Sequence, residues 1–145
     1  MRLDRKVICT LLMLASAASS AGAQSLEARK MQATAEAKMS HQAELTDRAC
    51  GTNLKTAFAW NTFDPAEALR KDPAAWCQAG LDALEDLCGD PLGKQAVAAK
   101  VKTLTCAGAA TPAASLDATG NLTFSFSLTP NQNKLLVRSY LEKNL

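Results

Sequence analysis

From position 122 to 128 apolar and hydroxyl side chains alternate: Leu122, Phe124, Phe126 and Leu128 are separated by Thr123, Ser125 and Ser127. A period of two predicts a strand with one buried and one wet face. Elsewhere the period is helical. Trp76, Cys77, Leu81, Leu84, Leu87 and Cys88 fall on one face of a helix that Asp72-Pro73 starts and Gly89 stops. Asp64-Pro65-Ala66-Glu67 combines an N-cap acceptor, Pro at the first helical position and Glu at the third, and Asp90-Pro91 repeats its first two parts. These pairs predict a short helix to Arg70, a long one over residues 73–88 and a third over 91–101.

The flanking segments carry weaker patterns. Residues 24–49 hold good helix formers, with a thin stripe through Met31, Ala35 and Met39 from which Leu45 and Ala49 drift. They predict a polar leading helix that either docks weakly or frays at its start, an appendage to the remainder. Residues 54–60 read equally as helix or strand. The β-branched run 102–106 and a segment around Leu116 predict strands, and the turn cluster 117–121 precedes the alternating run. Pro130 to Asn133 breaks that run, and a final helix over 134–145 directs Leu135, Leu136, Tyr140 and Leu145 inward. The fold class is therefore α+β: a helical N-terminal half, then a small antiparallel sheet and a C-terminal helix.

Composition changes this picture at the N-terminus. Arg2, Arg5 and Lys6, an apolar stretch over 7–18 and Ala21-Gly22-Ala23 form a secretory signal peptide, residues 1–23, removed on export. The apolar stretch is shorter than the roughly 20 residues that span a bilayer, so no stable membrane anchor is expected. The formal charge of +2 falls to zero once Arg2, Arg5, Lys6 and Asp4 leave. A neutral mature chain argues against a nucleic-acid partner. An Ala-rich leader suits a bacterial periplasmic protein, with secretion outside the cell as the alternative. Residues 24–49 then form the leading helix and 50–145 a single cross-linked domain.

Of five cysteines, Cys9 leaves with the leader, and Cys50, Cys77, Cys88 and Cys106 remain for two disulfides in an oxidising compartment. Eleven residues of helix separate Cys77 from Cys88 by roughly 16 Å, beyond the limit of about 7 Å between bridged Cα atoms. Each must therefore pair with Cys50 or Cys106. An antiparallel arrangement of the leading and longest helices would join Cys50 to Cys77 and Cys88 to Cys106. Cys50–Cys88 with Cys77–Cys106 is the alternative.

Candidate chemistry is sparse. His41 is the lone imidazole and lies in the polar leading helix, so the usual Cys–His and Ser–His–Asp arrangements have little to work with. No nucleotide-binding glycine motif, EF-hand or zinc spacing is present, and neither a cofactor nor a metal is expected. The sequon at Asn121 falls at the start of a buried strand and is discounted. Two constellations remain. Asp82, Glu85, Asp86 and Asp90 crowd the end of the longest helix, where the dipole disfavours them, and could dock a basic partner. Trp60 and Phe63, grouped with Phe58 and Trp76 around the expected Cys50–Cys77 bridge, could anchor another protein. The leading function is an exported, non-enzymatic binding or inhibitory module of the immunity or accessory type. A small hydrolase using paired carboxylates is the enzymatic rival. A structural envelope protein, dimerising through residues 24–49, is the third class.

Overall fold

The computed structural model describes residues 25–128 and 133–145. The predicted leader with Cys9, and residues 130–132 of the expected chain break, lie outside the described residues.

Ser25 opens α1 (Leu26–Cys50) by accepting the Ala28 N–H, and Gly51, with φ of 70°, closes it. After β1 (Lys55–Ala59) and a single 3-10 turn (Trp60–Thr62) come α2 (Pro65–Arg70), α3 (Pro73–Leu87) and α4 (Pro91–Lys100). Each of these three helices starts as its Asp-Pro pair predicts. Asp64 accepts the Glu67 N–H, Asp72 the Ala74 N–H, and Asp90 those of Leu92 and Gly93. The chain ends with β2 (Thr103–Gly108), β3 (Ala113–Leu116), β4 (Asn121–Phe126) and α5 (Asn133–Asn144). The ambiguous segment before Trp60 is thus a strand.

The α+β class holds, and the sheet is mixed rather than wholly antiparallel. Its order is β1-β2-β4-β3, with β1–β2 and β2–β4 parallel and only β3–β4 antiparallel. Three helices carry the chain from β1 to β2, so the second strand starts again from the end where the first began. A parallel pair requires a crossover of this kind. Leu104, Cys106, Leu122, Phe124 and Phe126 all point to one face and are fully buried. Over that face α3 packs between α1 and α5, with α1 above β1 and α5 above β3.

The leading helix is docked from Ala35 to Cys50, while its first turns are exposed or half-buried. Ala35, Met39, Ala43, Thr46 and Cys50 are buried, whereas Leu45 is exposed. Small alanines on the stripe permit a close approach to α3, so a face with little apolar bulk still buries well. Lys38 pairs with Asp72 at 2.5 Å, and the Thr46 hydroxyl donates to Glu85 at 2.7 Å. On α5, Val137 and Leu141 are the buried apolar residues. Leu136, Tyr140 and Leu145 are half-buried, and Leu135, expected inside, is exposed.

The disulfides are Cys50–Cys88 and Cys77–Cys106, the alternative pairing. The favoured pairing fails because α1 and α3 run parallel. Lys38 lies by the start of α3 and Cys50 by its end. The intervening strand carries the chain back along α1, so α3 sets out in the same direction. Cys77 and Cys88 are unpaired with each other, as helical rise requires.

Gly80 lets α3 reach the sheet: a Cβ there would stand 3.2 Å from both terminal methyl carbons of Leu104. Gly80→Val should cost about 1–3 kcal/mol by overpacking, measured by urea unfolding. The double change Cys77→Ala, Cys106→Ala removes a cross-link spanning 29 residues. It should cost about 3.6 kcal/mol in the same assay on the chain-entropy account.

Candidate binding groove

At the far end of β1 the chain makes a tight corner. Thr62 donates its hydroxyl to the Ala59 carbonyl at 2.6 Å and accepts the Gly108 N–H at 2.7 Å, pinning the 3-10 turn to the end of β2. This corner aims Trp60 and Phe63 in a fixed direction. Trp60 stacks on Phe58 with centroids 4.5 Å apart, and its indole N–H donates to Glu36 of α1 at 2.7 Å. Phe63 is buried, tilted against Trp60 at 5.8 Å and against Phe126 of the core at 5.7 Å. Trp76, expected in the same cluster, makes none of these ring contacts. It is half-buried on α3.

Between the first turns of α1, this corner and α2 lies a groove of about 460 Å³. Met31, Trp60, Phe63, Pro65 and Leu69 form its apolar walls, small alanines complete them, and Ser25 and Gln32 supply neutral polar groups. Among the described residues no charged side chain lines it. Apolar concavity with a few neutral polar groups is the usual character of a recognition site. Aromatic rings held by neighbouring rings and a hydrogen bond bind with little further loss of rotamer freedom. Sequence reasoning found Trp60 and Phe63 and placed Met31 on a helix stripe, but it did not single out Leu69. A six-residue helix is too short to display a period.

The acidic constellation is drawn into internal contacts. Glu85 accepts from Thr46, and Asp90 caps α4. Asp86 pairs with Lys134 at 2.8 Å and lies 3.6 Å from Arg138, so α5 itself supplies the basic partner. The Lys134 ammonium is held above its ordinary pKa by that hydrogen bond to Asp86. Asp82 is pushed above its ordinary value, first by burial and then by Glu85 and Asp86, against the pull of Lys134. These four acids therefore do not form a uniform exposed face.

Two carboxylates do share a small cavity of about 210 Å³, Asp64 and Glu67. Asp64 is the cap of α2, and Glu67 pairs with Lys71 at 2.6 Å. His41 is exposed on α1, its Nδ1 3.9 Å from Glu44. Among the described residues no group of three or more His, Cys, Asp or Glu side chains is placed to hold a metal ion. No helix among them is long and apolar enough to cross a membrane.

No known protein family matches the chain, and no curated protein or solved structure is significantly similar to it.

Charge on Asp82 opposes folding above its raised pKa, and the opposition fades as pH falls through it. Asp82→Asn should therefore raise stability at pH 7, by less than about 1 kcal/mol for so partly exposed a group, and Tm with it. The advantage should disappear below the ordinary Asp value of 3.8. Thermal melts of both proteins between pH 3 and pH 7, roughly the range over which carboxylates titrate, check this.

Proposed function

We propose that the chain is an exported binding module of the immunity or accessory type, working in the bacterial periplasm, that receives an apolar segment of another protein in the groove beside Trp60. The observation that carries this reading is the lining: five large apolar or ring-bearing side chains and, among the described residues, not one charge. Burying an uncompensated charge there would be costly, so the complementary surface is uncharged and apolar. Two disulfides suit an oxidising compartment. The signal-peptide pattern of residues 1–23 supports export.

The groove is preferred over the acidic face because Glu85, Asp86 and Asp90 already have partners within the molecule. It is preferred over paired-carboxylate hydrolysis because Asp64 and Glu67 are committed to a cap and an ion pair. Leu69 is 38% exposed at the groove wall, so a charge there disturbs the site without entering the core.

The test is capture and identification of the partner from an envelope extract, followed by titration of that partner against variants. Leu69→Asp should weaken binding about tenfold or more, roughly 1.4 kcal/mol, with the melting curve preserved. The triple change Asp82→Asn, Glu85→Gln, Asp86→Asn should leave binding within about twofold. A partner lost to the triple change and indifferent to Leu69→Asp would replace the groove with the acidic face.

A further inference from the structure

The two disulfides are enclosed to different degrees. Cys77 and Cys106 are 1% and 0% exposed, one facing inward from α3 and the other from β2, which has a strand on either side. A thiolate reaches them only if α3 lifts from the sheet and the packing of Leu81, Leu84, Leu104 and Phe124 is lost. The second bridge sits at helix ends. Cys50 is the last residue of α1, and Cys88 is the C-cap of α3, followed by the exposed Gly89 and Asp90. Cys88, at 9%, is the most exposed of the four. A terminal turn opens by fraying, at a small fraction of the free energy of global unfolding.

We propose that Cys50–Cys88 is a redox-responsive clamp on α1, opened by an external dithiol while Cys77–Cys106 keeps α3 on the sheet. A thiolate of the dithiol attacks Cys88 Sγ, forming a mixed disulfide as the Cys50–Cys88 bond breaks and Cys50 leaves as a thiolate that takes a proton from water. The second thiolate of the reagent attacks its own sulfur in that mixed disulfide and displaces Cys88. Two electrons pass to the bridge, and the dithiol becomes a disulfide. The inner bridge cannot follow without cooperative loss of the helix–sheet contact, so the product is folded and carries two free thiols. Its α1 is held at the C-terminal end by the Thr46–Glu85 bond and by Asp47, which accepts from the Thr52 hydroxyl and the Leu54 N–H. The Thr46 hydroxyl is buried and the Asp47 bonds are part-buried, so α1 stays docked while its last turn, no longer clamped, frays more readily.

The oxidised exported protein, titrated with dithiothreitol, alkylated and mapped by mass spectrometry, tests the order of opening. Cys50 and Cys88 should be labelled at dithiol concentrations about tenfold below those that label Cys77 and Cys106, with the far-UV helical signal retained. Amides in the last turns of α1 should then exchange about tenfold faster, while those of α3 and β2 stay protected. Cys50→Ser with Cys88→Ser should reproduce that exchange pattern without reductant. Labelling of all four cysteines together, labelling of the inner pair first, or an unchanged exchange rate in α1 would each overturn the proposal.

Discussion

A methyl group on Gly80 would stand 3.2 Å from both terminal carbons of Leu104, so Leu104 would have to yield, and within one turn of that contact Cys77 is bonded to Cys106. This joint between α3 and β2 places an apolar helix face directly on the central strands, Gly80 against Leu104 and Phe124, with Leu81 and Leu84 buried in the same core. The other helices take their positions from it. Across one flank of α3, α1 is held by a covalent bridge, a buried Thr–Glu hydrogen bond and an ion pair. Across the other, α5 is held by Val137 and Leu141 below and by Asp86 with Lys134 at the rim. A chain with so few large apolar residues gains by concentrating them at one helix and letting alanine-lined surfaces approach it closely.

The groove depends on the same arrangement. One wall belongs to α1, whose position is fixed from α3, and the floor belongs to a corner that Thr62 ties to β2. Neither wall stands without the core, yet the rings between them are only partly used by it. Phe63 reaches Phe126 in the interior, whereas Trp60 is satisfied sideways, by Phe58 and Glu36. Such a division gives a site that is rigid without being filled.

What the sequence disclosed follows from how local each signal is. The Asp-Pro caps act within three residues and were legible to the residue, as was the alternation of the last strand. The refusal of Cys77 to pair with Cys88 needed only helical rise. Properties that depend on chain direction were not legible. Nothing near Cys50 records that α1 and α3 are parallel, since that is decided by β1, whose own type was ambiguous. The parallel pairings of the sheet follow from a crossover of three helices and leave no local mark. The docking of α1 was underestimated because alanine contributes little to a hydrophobic pattern while doing much for close approach. The acidic cluster was visible as composition, but its intramolecular partners on α5 lie some fifty residues away in sequence. Leu69 lacked any periodic context.

The β3 edge has a cover that the sheet order alone does not reveal. Asp117 donates to Asn121, so alternation points the Leu116 N–H away from β4, and the Tyr140 hydroxyl accepts it at 2.7 Å. At the opposite edge α1 lies above β1, which opens with Lys55. Three helices side by side span roughly 16–20 Å between outer axes, while four strands span only about 14 Å. The helical layer is thus at least as wide as the sheet, and α1 and α5 lie over its two edge strands. A strand from another molecule approaching either rim meets a helix flank, a lysine or a phenol before it meets unpaired amides. This cover shields the sheet margins from the edge-to-edge polymerisation to which short β-sheets are prone.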